Sequence, residues 1–170
     1  MARLLGGGLA GLLATFPMSF VIVLGRKVGM LWTPPPKQIT GRVAKKAGVE
    51  PHADQEAFTL SWVAAHFGYG AACGAIYSVA RPLLPANRRV AGMLFGGVVW
   101  GVSYLGYIPA IGLYPWPKDD SKSRMAVMIA AHAVYGVATS QIDQALFSTP
   151  EAANYPAVLQ STDEFVYRQA

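Results

Sequence analysis

Charge is scarce in this sequence. Asp, Glu, Lys and Arg make up 14% of its residues, where a soluble domain carries about a quarter. So few charged side chains cannot clothe a water-exposed surface, and a soluble globular domain is set aside. Acidic residues cluster in the stretches between apolar runs. No Ser–His–Asp constellation, nucleophile elbow, phosphate-binding loop or metal-binding cluster is legible. Ser103 follows Gly101 but lacks the second glycine that an elbow needs. The sequence therefore offers no catalytic residue and no metal site, and it reads as non-enzymatic. Cys73 is the single cysteine, which excludes an intrachain disulfide and a cysteine-rich metal centre. Inside an apolar run it reads as a small packed hydrophobe. Nucleic-acid motifs are missing as well. The formal net charge of +5 comes from basic residues flanking apolar runs, where they serve topology and anionic headgroups.

What the chain has in quantity is apolar side chains, 53% of the total, gathered into blocks. Residues 4–25, 57–80, 90–112 and 125–146 are each long enough to span a bilayer, which takes roughly 20 helical residues. Backbone groups in lipid must be satisfied within the segment, so such runs are helices. The first run exceeds a signal-peptide core of about 7–15 residues and ends in Gly25-Arg26-Lys27 with no cleavage site. It reads as an uncleaved anchor. The expectation is an all-α membrane protein with one four-helix transmembrane domain over 1–170. Its partners are the lipid bilayer and either other membrane subunits or a second copy; no nucleic acid is expected.

Between the first two spans, Thr33 is placed to cap a helix that Pro34 opens. Ile39, Val43 and Ala47 recur every four residues beside Lys37, Arg42, Lys45 and Lys46. The pattern predicts a basic amphipathic surface helix over about 37–47, stopped by Gly48 and Pro51. His52 reads as solvated. The tail over 147–170 is polar, with a last surface helix in it. Basic residues of loops one and three (Arg26, Lys27, Lys37, Arg42, Lys45, Lys46, Lys118, Lys122, Arg124) outnumber those opposite (Arg3, Arg81, Arg88, Arg89, Arg168). The imbalance puts loops one and three in the cytoplasm. Trp32, Trp62, Tyr114 and Trp116 are expected to form an aromatic belt at that interface.

A stretch of the second run recurs in the fourth. "AAHFGYGAACGAI" aligns with "AAHAVYGVATSQI", matching His66 with His132, Tyr69 with Tyr135 and Gly70 with Gly136. The first span aligns with the third through Gly8 and Gly92, Ser19-Phe20 and Ser103-Tyr104, and Trp32 and Trp116. The chain thus reads as two tandem helical hairpins related by a pseudo-twofold along the membrane normal. His66, Tyr69, Gly70, Cys73 and Tyr77 share one helix face; His132, Tyr135, Gly136, Thr139 and Asp143 share the matching one. Lipid penalises polar groups, so both stripes are expected to face inward. Asp143, beside Gln141 and Gln144, reads as snorkelling to the interface. Gly7/Gly11, Gly70/Gly74, Gly92/Gly96 and Gly97/Gly101, with Gly136 before Ser140, have the spacing of close helix packing. Pro17 and Pro109 are placed to kink or loosen their helices.

The runs "SYLGYIPAIGLYPWP", "AAHAVYG", "PPPKQITGRVAKKAG" and "AAHFGYG" resemble the YagU-like family of small bacterial inner-membrane proteins over residues 1–146. The resemblance implies a four-span, multi-pass inner-membrane protein. That family has no established biochemical activity, so no catalytic residues carry over.

Three functions remain open. The bland one is an accessory or stress-related membrane component whose interior polar cluster (His66, Tyr69, His132, Tyr135, Ser19, Ser103, Tyr104, Tyr107) is structural and takes no cofactor. The second is a redox subunit, with His66 and His132 as axial ligands of haem b or as part of a quinone crevice. The third is an oligomeric pathway for protons or small polar solutes.

Overall fold

The computed structural model describes residues 1–50 and 54–147. His52 and the expected tail helix lie outside these. Among the described residues every regular element is helical: α1 (Ala2–Lys27), α2 (Pro35–Lys46), α3 (Gln55–Ala80), α4 (Arg88–Gly101), α5 (Ile108–Ala110) and α6 (Lys122–Phe147). A π-helical turn over Val102–Tyr107 joins α4 to α5.

Three stretches, Ala2–Lys27, Arg88–Ala110 and Lys122–Phe147, are long and apolar enough to cross a membrane. Helix α3 matches α1 in length at 26 residues but not in composition. Leu60, Val63, Ile76 and Val79 are its only leucine, isoleucine and valine residues, where α1 holds nine, and His66 and two tyrosines lower its hydropathy further. Of the four expected spans, three therefore have both the length and the apolarity.

The ends follow local chemistry. Asp54 caps α3 by accepting from the backbone N–H groups of Glu56 and Ala57 at 3.0 and 2.9 Å. Asn87 does the same for α4 through Arg89 and Val90. Such caps satisfy donors that have no intrahelical partner. The Arg81 guanidinium donates to the carbonyls of Leu84, Pro85 and Ala86 and seals the loop after α3. Thr33 does not cap α2. Pro34 takes that position, and the Thr33 carbonyl accepts from Gln38 Nε2 at 3.0 Å. Pro109 lacks the N–H that would bond the preceding turn, and the helix widens into the π turn just before it. Gly106 takes up the distortion at φ −117°, ψ −113°. Pro17 leaves α1 continuous.

Helix α1 is central, with α3 packed on one side and α6 on the other, while α4 packs on α6. Glycine makes these seams close. A Cβ on Gly74 would stand 2.5 Å from both Cα and N of Gly11. One on Gly92 would stand 2.5 Å from the Gly136 carbonyl oxygen, and Gly96 lies against the His132 carbonyl. Gly7 and Gly70 sit in the α1–α3 seam, against Gly74 and against Thr15 and Gly11. Gly97 and Gly101 lie in no seam: among the described residues nothing comes within 4 Å of a Cβ on either. Helix geometry gives the reason, since Gly97 is turned about 100° from Gly96 and one seam cannot use both pairs.

The arrangement is lopsided. A twofold relating the hairpins would pair the α1–α6 seam with an α3–α4 seam, yet no α3–α4 seam as close as α1–α6 is present among the described residues. Tyr77 and Phe95 stack edge-on at 5.0 Å, and a cavity separates the two helices beyond them. Below it, the Tyr77 hydroxyl donates to Ser140 Oγ, which donates to the Arg88 carbonyl, each at 2.8 Å. The outer face is apolar: Phe20, Leu60 and Val98 are 69%, 70% and 60% exposed.

Candidate functional site

The cavity between α3 and α4 measures about 280 Å³, just under the usual span of ligand pockets (roughly 300–1,000 Å³). Thr15 and Met18 of α1 and Met128, His132 and Tyr135 of α6 line it. Its sides are Ala65, His66, Tyr69, Gly70 and Cys73 of α3, facing Val99, Trp100, Ser103, Tyr104 and Tyr107. Helix α2 lies against one end through Pro35, Pro36, Ile39 and Thr40. Among the wall residues, Ala65, Tyr69 and Tyr107 are exposed.

The amphipathic helix is thus part of the cavity. Its basic residues hold it there: Lys37 Nζ stands 6.0 Å over the Phe58 ring, and Lys46 Nζ donates to the Ile111 carbonyl at 2.6 Å.

The two histidines share the cavity but are held differently. His132 Nδ1 lies 2.8 Å from the Met128 carbonyl. A carbonyl only accepts, so Nδ1 carries the hydrogen and Nε2 of the neutral ring is a lone pair. His66 Nε2 lies 3.2 Å from Ser19 Oγ. Ser19 spends its hydrogen on the Thr15 carbonyl at 2.7 Å, so His66 Nε2 donates and its Nδ1 is the lone pair.

The repeated tyrosines also diverge. Tyr135 is buried and donates to the Gly70 carbonyl at 2.7 Å. Tyr69 is 42% exposed; its hydroxyl lies 2.8 Å from Ser103 Oγ and accepts from Tyr107 at 3.2 Å. All eight residues of the expected polar cluster therefore lie at this cavity, Ser19 through its bond to His66.

Beside the cavity is a second group that spacing alone did not reveal. Tyr104 donates to Asp120 Oδ2 at 2.7 Å, Arg124 pairs with Asp120 at 3.2 Å, and Arg124 donates to the Tyr114 hydroxyl at 3.0 Å. The Tyr104 ring stacks on Trp100. The i,i+4 spacing of Asp120 and Arg124 was the available signal, obscured by the prolines around it. Tyr114 is only 4% exposed, so it leaves the expected aromatic belt, where Trp32 and Trp116 stay exposed. Burial pushes its phenol above the ordinary value of 10.0.

Asp143 also departs from expectation. It is 4% exposed, and its Oδ1 has no hydrogen-bond partner among the described residues. It lies inward because it continues the face of Tyr135, Gly136 and Thr139. Cys73 is buried as a packed residue and also borders the cavity. Among the described residues no group of three His, Cys, Asp or Glu is placed to hold a metal ion.

The class this defines is an all-helical protein with three helices long and apolar enough to cross a membrane, built around a largely apolar cavity. The chain belongs to DUF6789, a family of unknown function that matches residues 1–154. No curated protein and no solved structure matches it.

Proposed function

We propose that the chain is a four-span protein of the bacterial inner membrane that holds a small lipophilic molecule in the cleft between α3 and α4. It acts there as a non-enzymatic accessory component, and the ring-and-tail class of quinones and quinols fits the cleft best. One observation carries this reading: a mostly apolar, aromatic wall bears a few convergent polar groups, His66, His132, Ser103 and Tyr69. That combination characterises small-molecule sites. The length of α3 and its antiparallel course along α1 support the fourth span. The apolar outer face supports immersion in lipid. The YagU-like resemblance points to the same setting.

Haem is the weaker alternative, since ligation through His66 Nε2 requires that nitrogen to give up its hydrogen and its bond to Ser19. An oligomeric pathway for protons or small polar solutes is the further alternative; the glycine seams of α1 with α3 and of α4 with α6 hold the helices of one copy in contact, so its lumen would lie between copies.

The test is purification from native membranes in mild detergent, followed by solvent extraction and mass spectrometry. A stoichiometric quinone or similar ring-and-tail molecule is the expected result. A Soret band would replace this reading with haem. An empty protein whose tryptophan fluorescence ignores added quinone and quinol would overturn it.

A further inference from the structure

Each polar group on the cavity wall has a fixed number of hydrogens to give, and the bonds already made account for most of them. As neutral rings, His132 gives its hydrogen to the Met128 carbonyl and His66 gives its own to Ser19. The two remaining ring nitrogens are acceptors with no partner among the described residues. Tyr107 donates to Tyr69. Tyr69 and Ser103 own one hydrogen each but share a single bond, so one hydrogen of that pair is unspent. Among the described residues the wall therefore offers two unmet imidazole acceptors, beside the spare Tyr69–Ser103 hydrogen, the unpartnered Trp100 indole N–H and the Thr40 hydroxyl as donors.

We propose that the cleft selects a neutral ligand bearing a hydroxyl group, the class of phenols and reduced quinols, over the matching acceptor-only ring such as a quinone. This inference rests on the reading of the cleft as a lipophilic binding site. A hydroxyl meets both needs: it donates to an imidazole lone pair and accepts from the Tyr69–Ser103 pair. A carbonyl or ether only accepts, and leaves both imidazole nitrogens buried and unpaired beneath the ligand. A buried polar atom left unmet weakens binding by about tenfold or more.

An ammonium ligand would satisfy the acceptors and stack on the aromatic walls, but among the described residues no carboxylate lines the cavity to balance its charge. Asp120 is engaged by Tyr104 and Arg124. A carboxylate ligand meets the converse problem, since among the described residues no lysine or arginine lines the cavity.

The experiment uses the full chain in detergent and three probes that share a ring and a decyl tail: a benzoquinol kept reduced, its quinone, and its bis-methyl ether. Affinities are read from tryptophan fluorescence, with decylammonium as a fourth ligand. The expected result is quinol binding about tenfold or more tighter than the other three. His132→Leu should lower quinol affinity by about tenfold while raising that of the ether, and His132→Gln, which keeps an acceptor, should recover part of the quinol loss. Equal affinities in the wild-type protein would overturn the donor preference and leave the cleft reading standing. Tighter binding of quinone or ammonium would overturn it too. If none of the four binds, the cleft reading itself falls. The wild-type comparison decides even if a His132 variant fails to fold.

Discussion

The hydroxyl of Tyr69 lies 2.8 Å from Ser103 Oγ and ties α3 to the π-helical turn where the two helices stand apart. With Tyr107 donating to the same hydroxyl, it forms a strap across the exposed side of the cavity. Tyr69→Phe removes both bonds. Hydrogen bonds between membrane helices average about 0.6 kcal/mol, so the stability loss should stay near 1 kcal/mol. Access should change more. Cys73, the single cysteine, borders the cavity, and its labelling by a membrane-permeant maleimide should quicken in the variant. An unchanged rate by mass spectrometry would show that the strap does not govern entry.

The glycines separate packing from mere occurrence. Gly74→Ala places a methyl 2.5 Å from the Gly11 backbone, where no side chain can swing aside. Overpacking of this kind costs on the order of 1–3 kcal/mol. Gly97→Ala meets nothing within 4 Å and should be neutral or stabilise by up to about 1 kcal/mol through helix propensity. Unfolding in mixed micelles compares the two, and the reverse order would reject the seam as drawn.

Asp120 is the hinge of the polar group beside the cavity, its side chain 3% exposed. Asp120→Ala strips the acceptor from Tyr104 and the counter-charge from Arg124, for a loss on the order of 1–3 kcal/mol. Tyr104→Phe removes only one of those bonds and should cost less. A thermal melt of each variant tests the ranking.

Tyr114 makes stability depend on alkaline pH. Burial is the larger influence and raises its phenol above 10.0, outweighing the Arg124 bond that acts the other way. The folded state then holds the proton more tightly than the unfolded state does. The contribution is complete below pH 10 and is lost as pH climbs above it. Tyr114→Phe should flatten that part of the profile; an identical profile would assign the alkaline loss to other groups.

Membrane topology tests the standing of α3. If α3 spans, the two ends of the chain lie on one side. With loops one and three cytoplasmic, a reporter active only in the cytoplasm should be silent at the C-terminus and active when inserted at Gly48. Activity at both places would indicate a chain whose α3 does not cross.

The helices were legible from the residues themselves. Blocks of apolar side chains act locally, and local forces can be read along a line. The same holds for the inward stripes, because spacing along one helix decides which residues share a face. Hence Tyr77, Tyr135 and Thr139 lie inside together. What spacing cannot decide is which neighbour stands opposite that face. Gly92/Gly96 and Gly97/Gly101 have identical spacing, and only the position of α6 made one pair a seam and left the other bare. Asp143 is enclosed rather than snorkelling for the same reason. Repetition suggested two equal hairpins and two equal histidines. Tertiary packing closed α1 on α6 and left α3 apart from α4, and with that gave His66 a serine, His132 a backbone carbonyl, and both a common cavity.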